Sequence, residues 1–258
     1  MAKKEQTRYI EENLFEGMVS FRALISIQGS AHNNRRIEKV YYALEKLKKN
    51  KAEFSYIKAK SCELGFETEI CPMEAIDEMT IGTSHGGVAI QCSGRDIPEL
   101  SSRCIGEGGF YFMLDGIEDP YNFGYALRSL YAAGVDGIIL SPRNWMTASG
   151  VVCRSSAGAS ELLPMYVAND PERLGLFKEK GYSIICTDTE NSVSIYETTI
   201  KKPLLMIVGG EKRGISGAVM ALADKVVRLD YGREFPSALS AASASSILAF
   251  EVYRQTRG

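Results

Sequence analysis

Hydrophobic and polar residues alternate along this chain in two different rhythms. From about residue 109 onward the apolar runs are short, nearly continuous and separated by helical stretches. "FYFMLDG" reads as a buried strand, "NFGYALRSLYAAG" as a helix closed by Gly134, and "GIILSP" as a strand ended by Pro142. The alternation continues through "ERLGLFKEKG" (helix), "YSIICTD" and "PLLMIVGG" (strands), "SGAVMALAD" (helix), "KVVRLDYG" (strand) and a last helix over 237–256. Such strands, apolar on both faces and alternating with helices, predict an α/β fold with a mostly parallel sheet covered on both sides.

The first hundred residues are more mixed. "ALISIQG" reads as a strand, and Ile37, Val40, Tyr41, Leu44 and Leu47 fall at helical spacing, predicting a helix over 35–50. "EFSYIKA" reads as another strand, and a glycine pair precedes an alternating strand from Val88 to Cys92. The turn-rich "GRDIPELSSRCIGEGG" is the natural linker. The expected division is an N-terminal helical extension (1–20), a small α/β domain (21–97), a linker (98–108) and a larger α/β domain (109–258).

Composition narrows the class. The 258 residues are 45% hydrophobic and 24% charged, ordinary for a globular protein. No apolar run approaches the roughly 18 residues of a membrane span, and "MAKKEQTRYIEENLF" lacks the features of a secretory leader, so no membrane association and a cytoplasmic location are expected. Six cysteines without a CxxC pair and only two histidines suit reduced thiols and no metal site.

Net charge is −2, but its distribution is uneven. Arg22 to Lys60 holds ten Lys/Arg against three Asp/Glu, while Ser61 to Pro120 holds two basic and twelve acidic residues. The basic block reads either as a solvated helix face or as a phosphate-tracking surface, with Arg35, Arg36, Lys46, Lys48 and Lys49 as candidate phosphate contacts.

In open α/β sheets ligands sit at the carboxyl ends of the strands, so the loops after Leu114, Ile185, Val208 and Leu229 carry the candidate chemistry. "GEGGFYF" precedes a strand and "GGEKRG" lacks the spacing of a dinucleotide or triphosphate loop. Asn122, Gly124 and Arg128 stand at and after the start of the first helix of the larger domain. Gly209, Gly210 and Glu211 end a buried strand. Ser237 and Ser240 open a helix rich in Ser and Ala, whose small side chains permit close backbone approach.

These blocks resemble the SpoU (TrmH-like) family of RNA ribose 2′-O-methyltransferases, in the SPOUT superfamily. Asn122, Gly124 and Arg128 match its first motif, Asn-x-Gly-x-x-x-Arg. Gly209, Glu211 and Gly214 match its second, Gly-x-Glu-x-x-Gly, and "SALSAASASSILAFE" approaches its third. "SSAGASELLPM" resembles a further family segment, and "TSHGGVAIQC" resembles the end of the family's small RNA-binding domain. The third motif departs from the family's Ser-Leu-Asn, reading Ala238-Leu239-Ser240.

The resemblance implies a deep trefoil knot in the C-terminal domain, an L30e-like, ribosomal-protein-like RNA-binding domain in front, and a homodimer through the knotted domain. It implies S-adenosylmethionine as methyl donor and an RNA substrate, ribosomal RNA in preference to transfer RNA. Asn122, Arg128, Glu211, Ser237 and Ser240 become the candidate catalytic residues, and Thr187, Gly209, Gly210, Leu229 and Leu239 the candidate cofactor contacts. The alternatives are a catalytically weakened RNA-binding protein on the same scaffold, a transfer-RNA methyltransferase, and an unrelated small-molecule α/β enzyme.

Overall fold

The structure, a computed structural model, describes residues 13–81, 84–142, 148–210 and 213–257. The chain forms two compact units: residues 1–96 together with 144–162, and residues 97–143 together with 163–258.

The first unit is built on a four-stranded sheet. Its strands are β1 (Leu14–Glu16), β2 (Ile37–Ala43), β3 (Glu67–Cys71) and β4 (Val88–Cys92), in the order β1-β4-β2-β3. The β4 pairings are antiparallel and β2 with β3 is parallel. Around it lie α1 (Gly17–Ser26), α2 (Leu44–Lys49), α3 (Lys51–Leu64), α4 (Met73–Met79), α6 (Ser149–Ser155) and α7 (Ala159–Leu162); α5 lies in the second unit. Phe15, Phe21, Leu24, Val40, Tyr42, Ile57, Ile90 and Cys153 form one buried cluster.

Here the periodicity misassigns several elements. "ALISIQG" belongs largely to helix α1, where Phe21 and Leu24 share the buried face. The expected helix over 35–50 is strand β2 followed by the short α2: Ile37, Val40 and Tyr42 point into the sheet's core, flanked by a strand on either side. "EFSYIKA" lies inside α3. That helix carries its own boundaries, since the Asn50 side chain accepts the Glu53 N–H and Gly65 takes a left-handed φ of 80°. Short apolar runs fit both periods, and burial decides between them.

Two domain boundaries also differ. Residues 148–162 fold with the first unit, so the second is not continuous from 109 to 258. The fit is steric as well as polar. A Cβ on Gly150 would fall 2.0 Å from the Leu14 carbonyl oxygen, and one on Gly158 2.6 Å from Ala23 Cβ. The expected linker, 98–108, is part of the second unit's core: Leu100 and Ile105 are buried, and Leu100 N–H donates to the Val167 carbonyl at 2.8 Å. Of the expected extension 1–20, residues 1–12 lie outside the described residues, and 14–20 hold β1 and the start of α1.

The second unit follows its sequence closely. Strands β5 (Phe110–Asp115), β6 (Gly137–Leu140), β7 (Met165–Val167), β8 (Ser183–Thr187), β9 (Val193–Ser194), β10 (Leu204–Gly209) and β11 (Lys225–Arg228) form one sheet in the order β7-β6-β5-β10-β8-β11-β9. Every pairing is parallel. Helices α5 (Pro120–Ala132), α8 (Gly175–Glu179), α9 (Gly217–Met220) and α10 (Ala241–Thr256) complete it, and α5 packs against α10. The interior strands are buried along nearly their whole length, which is why their sequences read as unbroken apolar runs. Among the described residues no helix is long and apolar enough to cross a membrane.

Candidate active site

The carboxyl ends of β8, β10 and β11 open into a pocket of about 280 Å³. Thr187 ends β8, Gly209 ends β10 and Leu229 follows β11; with Gly210 and Leu239 all of these line it. The structure thus brings the five candidate cofactor contacts to one cavity. Asp188, Thr189 and Tyr231 line it too. Sequence reasoning passed over them, although Asp188 and Thr189 directly follow a strand already marked as ligand-facing.

Glycine shapes the pocket's wall. The chain after β10 doubles back, with Gly214 N–H donating to the Gly210 carbonyl at 3.0 Å. A Cβ on Gly209 would lie 2.5 Å from the Gly214 carbonyl carbon, and one on Gly210 would lie 2.2 Å from the Gly116 carbonyl oxygen. Neither position accommodates a side chain without moving backbone, so both glycines are demanded by close approach. Gly214 itself takes φ +62°. Glu211, between them, lies outside the described residues.

The donor set suits a nucleoside. Leu229, Leu239 and Leu248 supply apolar surface for a flat ring, and Thr187, Asp188 and Thr189 offer hydroxyl and carboxylate groups for sugar hydroxyls. Ala241 and Ala244 of α10 face the same space without bulk. These residues fit S-adenosylmethionine: a cleft with apolar and polar sides, one wall of which is close-packed glycine backbone. Thr187 Oγ1 donates to the Ile207 carbonyl at 3.3 Å, tying β8 to β10 at the rim.

The candidate catalytic residues are arranged less tightly. Gly209 pairs in register with Asp115, so β5 and β10 end level and α5 begins at the same sheet edge. Asp119 caps α5, accepting the Asn122 N–H at 2.8 Å. Asn122 is therefore not the cap, and its side chain is half-buried. Arg128 is exposed on α5 and makes no hydrogen bond or ion pair with another described residue. Neither lines the pocket. Ser240 caps α10, accepting the Ser243 N–H at 3.1 Å and donating to Ser243 Oγ at 3.0 Å. Ser237 is exposed on the preceding loop.

In the first unit the candidate RNA contacts separate. Arg36, Lys48 and Lys49 are exposed. Arg36 also lines an open groove of about 1000 Å³ with Gln28, Ser30 and Asn34. Lys46 is paired with Glu53 and lies over the Tyr42 ring. Arg35 is no RNA contact: it is 2% exposed, with Nε 3.1 Å from Glu161 Oε2. It donates to Asn13 Oδ1 and the Ser93 carbonyl, and its guanidinium lies 4.7 Å from the centre of the Phe15 ring. A buried charge needs a partner, and Glu161, far along the sequence, supplies it.

The chemistry is quiet elsewhere. Burial pushes the Cys153 and Cys186 thiols up to about 12, which makes them poor nucleophiles, and all six cysteines are unpaired.

Comparison with known proteins places the chain in a family. Residues 109–250 match the SpoU rRNA Methylase family. The chain is 30% identical to the 23S rRNA (guanosine-2′-O-)-methyltransferase RlmB of Shewanella oneidensis, over 75% of this chain and 80% of that protein. It is 29% identical to YacO of Bacillus subtilis, described as a putative TrmH family tRNA/rRNA methyltransferase, over 74% and 78% of the two chains. Two solved structures share the fold at TM-score 0.76: an RNA 2′-O ribose methyltransferase (19% identical, 98% and 95% covered) and an AdoMet-bound rRNA methyltransferase from Sinorhizobium meliloti (22% identical, 98% and 90% covered). With its family-matched domain and its glycine-walled pocket at the strand ends, the chain belongs to the SpoU rRNA methylase family, as an S-adenosylmethionine-dependent RNA 2′-O-methyltransferase.

Proposed function

We propose that the protein methylates a ribose 2′-hydroxyl of ribosomal RNA, in the cytoplasm and as a homodimer, with S-adenosylmethionine held by Thr187, Gly209, Gly210, Leu229 and Leu239. The observation that carries this reading is the convergence of those residues on one pocket at the ends of β8, β10 and β11. The RlmB relative, named for 23S rRNA, favours ribosomal RNA as substrate. In this reading the second unit carries the trefoil knot that the family resemblance implies. Exposed Tyr125 and Tyr131 on α5 and Ile247, Phe250 and Tyr253 on α10 supply an apolar face for a second copy. The first unit, L30e-like in this reading, offers Arg36, Lys48 and Lys49 to the RNA backbone.

When bound, S-adenosylmethionine supplies a methyl group made electrophilic by the attached sulfonium. The chain's task is to present a nucleophilic oxygen in line with it. A guanidinium carries five N–H donors and no acceptor, so Arg128 is no general base. It grips the substrate phosphate through charge-assisted hydrogen bonds and stabilises negative charge on the 2′-oxygen as the hydroxyl proton passes to solvent water. Asn122, free of the capping role, orients the ribose at the same sheet edge. Ser237, exposed beside the pocket, donates to the ribose or its phosphate.

A second reading, RNA binding without transfer, draws on Ser240: its hydroxyl is engaged within the helix cap, where the family carries Asn. Titration calorimetry with S-adenosylmethionine and S-adenosylhomocysteine decides first. The parent protein should bind both and the Gly209→Trp variant neither. Methyl transfer to a ribosomal RNA transcript should follow the same order. A parent protein that binds neither compound overturns the methyltransferase reading, and cofactor binding with no transfer to any RNA favours the second.

A further inference from the structure

The loop between β11 and α10 carries a feature that neither packing nor the cofactor pocket explains. Tyr231 and Leu239, near its two ends, both line the pocket, and Leu239 N–H donates to the Tyr231 hydroxyl at 3.1 Å. This bond fastens the loop across its own base. The Tyr231 ring meets Phe235 edge to face, with centroids 6.2 Å apart and planes at 62°. Phe235 is nevertheless 56% exposed and Tyr231 40% exposed. Arg233, between them, is also exposed and has no ion-pair partner among the described residues.

An aromatic ring held open by a second ring, next to an unneutralised guanidinium and continuous with a nucleoside-sized pocket, has the chemistry of a single-stranded nucleotide contact. A ribose presented for methylation must reach the pocket mouth, so its own base or an adjacent one lies within a nucleotide's length of this loop. A base drawn out of an RNA helix loses its stacking partners, and an exposed aromatic face replaces them without regard to base identity. We propose that Phe235, braced by Tyr231, is the stacking platform for a base of the substrate RNA at the reacting nucleotide, and that Arg233 contacts the adjoining phosphate. The inference rests on the methyltransferase reading and specifies how that site takes its RNA.

The test uses a short single-stranded oligoribonucleotide carrying 2-aminopurine, whose fluorescence falls on stacking, added to full-length protein saturated with S-adenosylhomocysteine. The parent should quench the probe. Phe235→Leu, which keeps an apolar side chain but removes the ring, should abolish the quench and weaken probe affinity at least about fivefold, the lower end for one stacked base. Phe235→Trp should restore both. Arg233→Ala should lower the slope of log affinity against log salt by about one. S-adenosylhomocysteine affinity, measured separately, should stay within about twofold in every Phe235 variant.

Equal quenching and affinity in the parent and Phe235→Leu would overturn the proposal. So would loss of S-adenosylhomocysteine affinity in that variant, which would hand the ring to the cofactor's adenine, or a change in its mass by light scattering, which would hand it to a second copy of the chain. A parent protein that binds S-adenosylhomocysteine but leaves the probe unquenched sinks this inference alone. One that does not bind S-adenosylhomocysteine removes the methyltransferase reading as well.

Discussion

The two units impose their tightest constraints by different means. In the first, the largest fully buried side chain is charged: Arg35 is enclosed by Glu161, Asn13, Ser93 and the face of Phe15, and Asn33 Nδ2 adds a hydrogen bond to Glu161 Oε2 at 3.0 Å. In the second, the main buried cluster is apolar, and the critical positions are those that carry no side chain at all, Gly209 and Gly210. A charged core is specific because only one partner arrangement satisfies it. A glycine-walled pocket is specific because only a bare backbone lets the chain pass this close to its neighbours at Gly214 and Gly116. The first kind of constraint shows itself when a partner is removed, the second when an atom is added.

The largest effect should come from Glu161→Ala. It strands the Arg35 charge in the first unit, and removing one member of a buried pair costs about 3–5 kcal/mol. Urea unfolding, with amide exchange read in β2, should register that loss, whereas Arg35→Met with Glu161→Leu should recover much of it. If the single and double variants are equally unstable, charge satisfaction is not what holds this unit together.

Arg128→Ala probes the second unit without touching its glycines. Turnover should fall by about 10²–10³, the usual result of deleting a preorganised charge-stabilising group, while cofactor affinity stays near the parent's. A variant that keeps full turnover removes Arg128 from the chemistry. A smaller effect is expected from Lys48→Ala with Lys49→Ala in the first unit. Only the salt dependence of RNA binding should change, its slope falling by about two if both lysines meet phosphates. An unaltered slope would leave these lysines as solvated surface.

The smallest effect concerns acid. Burial alone would raise the Asp224 carboxyl, but the Ile184 N–H and the Lys178 ammonium outweigh it and hold the group below its ordinary value. A carboxyl depressed in the folded state stabilises the fold above its unfolded pKa, and that contribution fades as pH falls through the folded value. Stability of the second unit should therefore drop on acidification below about pH 4, and less steeply in Asp224→Asn. Parallel acid limbs for the two proteins would contradict the assignment.

The same contrast explains what could be read from the chain. The second unit was legible because parallel strands buried on both faces leave continuous apolar runs, as in "LLMIVG" and "FYFMLD", and because strand ends mark where ligands sit. The candidate cofactor residues at those ends share one cavity. The first unit was not legible in the same way. Arg35 and Arg36 are adjacent and chemically alike in the sequence, yet one is buried and the other exposed, a difference set by Glu161, which lies beyond any local window. Tyr231 was passed over because its significance rests on a hydrogen bond to Leu239 that spacing alone does not reveal.

Residues 148–162 fold with the first unit although the chain on either side belongs to the second. The two units are therefore joined at more than one crossing, and the small one cannot be transplanted as a cassette. A chimera that exchanged residues 1–96 alone would leave Glu161 facing a stranger's core. The first unit has to be moved as two separated stretches, or its replacement must already carry an acid where Arg35 expects one.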